Sequence, residues 1–119
     1  MLNLDTHMLV RGLGDDVTPR ERKLLRSEPW SISAIVLWEL AKLVQLRRLS
    51  IDLRSPEVAR ALAAIHLWPI DLEVAQASIA LDFRSDPADE LIAATSVVHA
   101  VPLLTRDRKI LRSKLVPLA

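Results

Sequence analysis

The sequence has no cysteine and only four aromatic residues of the Phe/Trp kind, Trp30, Trp38, Trp68 and Phe83, in 119 residues. Without cysteine there is no disulfide framework, no thiolate zinc site and no cysteine nucleophile. Four scattered rings argue against a base-stacking platform, which needs exposed aromatics in series. Long apolar runs are missing too. Leu37-Trp38-Glu39-Leu40-Ala41-Lys42 is typical, broken by charge within a few residues, far short of the roughly 18–20 apolar residues that span a bilayer. Met1-Leu2-Asn3-Leu4-Asp5 shows neither the basic nor the apolar region of a signal peptide. The expectation is a soluble, cytoplasmic protein with no membrane attachment. Charge of one sign is also lacking: sixteen Lys and Arg against fifteen Asp and Glu give a formal net charge of +1. The sum predicts no particular partner, so the placement of the charges has to inform.

What is present suits a core. Half of the residues are apolar and 26% are charged, which excludes disorder and low complexity. A chain of this length buries roughly two-thirds of its unfolded surface. No repeat and no interior linker is visible, so residues 1–119 form one domain.

Leu2-Asn3-Leu4-Asp5 reads as a short strand, and Gly12 and Gly14 mark a loop after it, with helix starting at Thr6 or near Asp15-Asp16. Thr18 is an N-cap with Pro19 at the first helical position and Glu21 three residues on, so a helix runs to about Glu28 and stops before Pro29. Trp30-Ser31-Ile32-Ser33 alternates as a strand does. Ser33 caps a helix from Ala34 to Arg47, and a further helix spans Ser55 to about Ile65. Trp68-Pro69-Ile70-Asp71 is extended, Leu72–Leu81 helical, and Asp86-Pro87-Ala88-Asp89 opens a helix to about His99. Pro102–Thr105 is a strand, Arg106–Arg112 a short basic helix or turn, and Lys114–Leu118 a last edge strand. Strands alternating with helices of ten to fifteen residues indicate an α/β domain with a parallel sheet.

Ligands of such a sheet bind at the carboxyl ends of its strands. Asp5 closes the first strand, Asp107 follows the strand Pro102–Thr105, and Asp89 lies in the first turn of the helix leading into it. Glu39 interrupts the apolar face Ile35, Val36, Leu40, Leu43, where an unpartnered charge is expensive. Each acid also has a plain structural reading. Asp5 and Asp107 cap turns or helices, Asp86 and Asp89 form a capping-box-like start, and Glu39 pairs with Lys42 or Lys109. A single site explains all four together. Converging carboxylates repel unless a hard cation holds them, and Mg2+ or Mn2+ takes oxygen ligands from a few carboxylates, waters and a substrate phosphate. The residues alone lead as far as an acidic metal pocket.

Four blocks, in order, resemble the PIN-domain family and, within it, VapC-type toxin ribonucleases. They are Leu4-Asp5-Thr6-His7, Ser33-Ala34-Ile35-Val36-Leu37-Trp38-Glu39, Asp86-Pro87-Ala88-Asp89-Glu90-Leu91-Ile92-Ala93-Ala94-Thr95, and Leu104-Thr105-Arg106-Asp107-Arg108-Lys109-Ile110. With their order and spacing they span nearly the whole chain. The resemblance implies a three-layer α/β/α sandwich around a short parallel sheet, and a Mg2+-dependent endoribonuclease in which Mn2+ substitutes. It carries the catalytic acids onto Asp5, Glu39, Asp89 and Asp107. Asp5, Asp89 and Asp107 hold one or two ions, and Glu39 is a ligand or orients water. Thr105 matches a hydroxyl residue beside the metal, and Asp86 a nearby acidic position. Water attacks phosphorus in line, leaving a 5′-phosphate and a 3′-hydroxyl. The resemblance also implies a VapB-type antitoxin and a homodimer. One departure is Glu90, where many relatives have arginine, and its expected place is solvent.

Arg106, Arg108, Lys109, Arg112 and Lys114 put five cations in nine residues around Asp107. They read either as a solvated helix face or as a basic rim for RNA, to which Arg47 and Arg48 add. His7, His66 and His99 read as surface or packing residues. Two other readings stay open: an inert PIN-like module that binds RNA or protein, and a receiver-like signalling domain. The latter wants paired acids after its first strand, where this chain has Asp5-Thr6-His7.

Overall fold

A computed structural model describes all residues, 1–119. The chain runs β1 (Leu2–Leu4), α1 (Thr6–Leu13), α2 (Pro19–Ser27), β2 (Trp30–Ser33), α3 (Ala34–Gln45), α4 (Pro56–Ala63), β3 (His66–Trp68), α5 (Leu72–Ser78), α6 (Pro87–His99), β4 (Leu103–Leu104) and α7 (Arg108–Leu111). Local chemistry starts the helices. Thr18 and Glu21 complete a reciprocal capping box on α2, with Pro19 at its first position. The Ser33 hydroxyl accepts from the Ile35 N–H to open α3, and the Asp71 carboxylate does the same for α5 from Val74. Two ends are set by residues in the left-handed region: Arg47 (φ 57°) just past α3, and Ala100 (φ 53°) at the end of α6. The first makes α3 two residues shorter than its sequence pattern suggests.

Two strands differ from expectation, and proline explains both. The extended piece expected at Trp68–Asp71 lies two residues earlier, at His66–Trp68, because Pro69 has no N–H to continue a ladder. The expected edge strand Lys114–Leu118 reduces to one parallel bridge, Leu103 to Leu118. Pro117 again offers only its carbonyl, which accepts from the Leu103 N–H at 2.9 Å. The Lys114 N–H turns instead to the Asp82 carboxylate at 2.7 Å.

All strand pairs are parallel, in the order β3-β2-β1-β4. Successive side chains of a strand point to opposite faces. Asn3, fully buried, donates from Nδ2 to the Ile92 carbonyl (3.2 Å) and to Ser96 Oγ (2.9 Å), so α6 lies on its face. Leu2 and its register partner Trp30 face the other way. There Trp30 packs on Gly12 of α1 and gives its indole N–H to the Leu25 carbonyl of α2 at 2.8 Å. Helices therefore cover both faces, which is the expected α/β/α sandwich. One apolar core joins Leu4, Met8, Leu9, Ile32, Val36, Leu40, Ile92, Leu103 and Ile110. No helix is long and apolar enough to cross a membrane.

The strand order matters for function. The chain steps from β1 to β2 to β3 in one direction, then returns to place β4 on the far side of β1. Ligand crevices of open α/β sheets lie where the order reverses, outside the carboxyl ends of such strands. Here that is the gap between β1 and β4.

A Cβ at Gly12 would sit 3.1 Å from the Trp30 ring. Gly12→Val is expected to lower stability by about 1–3 kcal/mol through overpacking, with Gly12→Ala milder, as read by urea unfolding monitored on tryptophan fluorescence.

Candidate active site

Asp5 stands at the carboxyl end of β1. Its Oδ1 accepts from the Met8 N–H at 2.9 Å, which caps α1. Its Oδ2 accepts from the Thr105 hydroxyl at 2.5 Å. Thr105 follows β4, and its oxygen also accepts from the Asp107 N–H at 3.0 Å. Asp107 in turn caps α7 by accepting from the Ile110 N–H at 3.0 Å. Thr105 thus ties the two acids across the switch point. Asp89, in the first turn of α6, accepts from the Ser85 hydroxyl at 3.2 Å. Glu39 is half-buried on α3 and accepts from the hydroxyl of buried Thr6, the residue after Asp5.

Asp5, Asp89 and Asp107 line one cleft of about 260 Å³ together with His7, Met8, Arg11 and Arg106. A second hollow of about 540 Å³ shares Asp89 and Asp107 and continues past Arg84, Ser85, Asp86, Arg108 and Lys109. Three of the four expected acids therefore face a common space, and Glu39 stands behind it. Their charges act on each other. Burial first, then the charge of Asp107, pushes the Asp5 carboxyl above the ordinary carboxylate range, against the hydrogen bonds from Thr105 and Met8 and the pull of His7. Burial likewise raises Asp89, helped by Glu39, Asp107 and Asp86 and opposed by Ser85.

No three His, Asp or Glu side chains stand close enough together to grip one ion on their own. The physical reason is visible in the bonds just described: repelling carboxylates each settle on a nearby neutral donor. The donor chemistry is nevertheless that of a hard cation, all oxygen apart from His7. Magnesium takes one or two carboxylates and keeps several waters, and a cleft of this volume has room for them.

Other expected residues fall less neatly. Asp86 is exposed and makes no side-chain capping bond, so the capping-box-like start is not formed. Ser85 replaces it, giving its hydroxyl to Asp89 and its N–H to Glu90 at 3.3 Å. Glu90 is thereby half-buried and engaged rather than left in solvent. Glu39 bonds Thr6, not Lys42 or Lys109. The five-cation cluster is dispersed. Arg106 lies on the Asp5 side, Arg108 and Lys109 border the second hollow, and Arg112 faces a third with Asp82. His66 and His99 pack on Trp68, whereas His7 is exposed at the cleft.

One contact beside the cleft leaves no signal in the sequence. Glu21 is buried and accepts a fork from Arg106, Nε to Oε2 at 2.8 Å and Nη2 to Oε1 at 2.7 Å. Its place in the Thr18 capping box accounts for a glutamate there, so nothing in the sequence marks a second role for it.

The family model for the PIN domain matches residues 3–114. The chain belongs to the PIN domain family. Solved structures with the same fold include a toxin–antitoxin complex from Klebsiella pneumoniae, at 21% identity and TM-score 0.71, covering 94% of this chain and 91% of the other. VapBC2 from Rickettsia felis bound to a DNA fragment from its promoter has 16% identity and TM-score 0.73, covering 100% and 98%. DNA-bound VapBC from Salmonella typhimurium has 19% identity and TM-score 0.68, covering 99% and 96%. Comparison with curated proteins gave no match. Three acids within the residues matched by the PIN model, Asp5, Asp89 and Asp107, line the β1/β4 crevice.

Opposite pH behaviour follows for the two kinds of acid. Hydrogen bonds from Arg106, together with its charge, hold Glu21 at about 2, below its ordinary 4.5. A lowered carboxyl stabilises the fold above its unfolded value and loses that contribution as pH falls from about 4.5 through about 2. Glu21→Gln is expected to flatten this acid limb in thermal melts at pH 2–5. At neutral pH it should cost about 1.5–3 kcal/mol, toward the low end because Arg106 is 42% exposed. Asp5 and Asp89 are raised instead, so their ionisation destabilises the fold above the ordinary carboxylate range. In EDTA at pH 7, Asp5→Asn, which keeps a capping oxygen, should raise Tm by roughly 2–6 °C by scanning calorimetry.

Proposed function

We propose that this PIN domain is a Mg2+- or Mn2+-dependent endoribonuclease, acting in the cytoplasm as the toxin of a VapBC-type toxin–antitoxin pair. The observation that carries the reading is the shared cleft: Asp5, Asp89 and Asp107 face one hollow at the β1/β4 switch point. The likeness of fold to chains of toxin–antitoxin complexes supports the toxin assignment.

In this reading the carboxylates of Asp5, Asp89 and Asp107, which line the cleft, would hold the ion. A bound divalent ion supplies positive charge to polarise a phosphoryl group and to acidify water. Thr105 keeps Asp5 and Asp107 aligned by donating to one and accepting from the backbone of the other. Glu39, anchored on Thr6, adds negative charge behind Asp89 and orients water from that side. Arg108 and Lys109 border the second hollow, placing positive charge beside the acids where a neighbouring phosphate of the strand would lie. Asp86 sits at the same border and tunes that field. Arg112 is farther out, beside Asp82, and its contribution to RNA binding is smaller than that of Arg108 or Lys109.

An antitoxin and a second copy of the chain both need apolar surface to dock on. Leu37, Trp38 and Leu46 on and just past α3 are exposed, as are Ile70, Leu72 and Ile79 around α5. Ile79 is 88% exposed and Leu72 73%. Exposed apolar side chains grouped on one element suit such docking.

Calorimetric titration with Mn2+ tests the site without a known RNA target. Wild type is expected to bind, and Asp5→Asn/Asp89→Asn to lose binding while keeping a cooperative melt. Binding that is equal in both, or absent from wild type, overturns the metal-dependent reading in favour of an inert module. Where binding holds, cleavage of total RNA with Mg2+ should fall by about 100-fold or more in the double variant.

A further inference from the structure

The Glu21–Arg106 fork joins two parts of the chain 85 residues apart, and its two ends sit in different surroundings. The Glu21 side chain is 8% exposed, whereas Arg106 is 42% exposed and lines the acidic cleft. Glu21 Oε1 also accepts from the Thr18 N–H at 2.8 Å, so the carboxylate is fixed by the capping box before it meets the arginine. A guanidinium has five N–H donors in a planar fork. The pair with Glu21 uses Nε and one side of Nη2 and leaves the Nη1 edge free.

A mobile arginine beside three carboxylates would settle on one of them. Asp5 is close enough to act on the charge of Arg106, as is Asp16. An Arg106–Asp5 pair would neutralise the carboxylate at the end of β1 and compete with any cation there. Glu21 is the stronger trap, because the capping box has already set its position and it meets the guanidinium in a two-bond fork.

Resting on the metal-dependent nuclease reading, the geometry points to Glu21 as a positioning residue, one that holds the Arg106 guanidinium away from Asp5 and turns its free edge to a phosphate oxygen of the bound strand. Glu21 touches neither ion nor RNA in this scheme. It keeps the acids available to the one and Arg106 available to the other.

The test uses Mn2+ calorimetry and the anisotropy of a labelled, mixed-sequence single-stranded RNA 12-mer in EDTA. Glu21→Gln retains a residue that completes the capping box, so thermal melts check that it is folded. Its Mn2+ affinity is expected to fall about three- to tenfold as Arg106 moves onto Asp5. Arg106→Gln added to Glu21→Gln should restore Mn2+ affinity to the wild-type value. Glu21→Asp, which keeps the charge but is one methylene too short for the fork, should weaken Mn2+ binding as Gln does. Arg106→Gln alone should leave Mn2+ binding intact and lower the slope of log affinity for RNA against log salt by about 0.7, the share of one phosphate on a single strand. Unchanged Mn2+ affinity in Glu21→Gln overturns the inference, as does failure of the second substitution to restore it. Wild-type behaviour of Glu21→Asp overturns it too, because charge alone would then suffice, and so does an unchanged salt slope in Arg106→Gln. Wild type that binds no Mn2+ would fail the nuclease reading itself, a result distinct from any of these.

Discussion

The hydroxyl of Thr105 holds the ends of two strands together where they would otherwise part. It donates to Asp5 at the end of β1 and accepts from the backbone N–H of Asp107 beyond β4. Parallel pairing fixes these strands only as far as Leu4 and Leu104. Past that register the two chains diverge, Asp5 into α1 and Asp107 into α7, and a crevice opens. One side-chain oxygen bridges that opening, while the helix caps at Met8 and Ile110 fix how the two carboxylates are turned. A hydroxyl suits this place because it donates and accepts at once. Valine, of the same shape, would leave Asp5 Oδ2 without its donor in a buried setting.

Charges around the crevice divide into two groups with opposite effects on the fold. Asp5 and Asp89 are held in surroundings that disfavour their ionisation, chiefly by burial, with the charge of Asp107 acting on both and those of Glu39 and Asp86 on Asp89. Glu21, a short way along the same surface, is held in its ionised form by Arg106. The fold thus carries a local electrostatic burden at the acids and a well-paired buried carboxylate beside them. Strain gathered at one site and offset elsewhere is the usual pattern where a site is built for a ligand rather than for stability. It explains why the acids lean on Ser85, Thr6 and backbone N–H groups instead of on each other.

Most of the fold was legible because local rules and the tertiary structure agree. The capping box at Thr18, proline at the first position of α2, α4 and α6, and the alternation of Trp30–Ser33 each mark an element that forms where they place it. The strand at His66–Trp68 was displaced in the reading because it is amphipathic on no clear face, its first two residues being exposed at the sheet edge. Of the site, the identity of the acids was legible from their placement in four ordered blocks. Their convergence was not, since it depends on the return of β4 to the far side of β1. Ser85 as partner of Asp89 and Glu21 as partner of Arg106 were invisible for the same reason. A serine before a helix and a glutamate in its first turn are already explained by local structure, so a further contact leaves no trace in the pattern.

Asp5 and Asp107 each do two things with one carboxylate: an oxygen starts a helix while the group faces the cleft. The helix start accepts Asp, Asn, Ser or Thr about equally well and rejects most other residues. At both positions, then, the substitutions that leave the fold whole are few, and all of them remove the negative charge. Sequence drift at these sites therefore leads either to a protein of unchanged shape that has lost a charge at the crevice or to one whose first and last helices have lost their starts. A chain that stays folded and has changed at either position is capped but uncharged, with the same outline and a less acidic crevice.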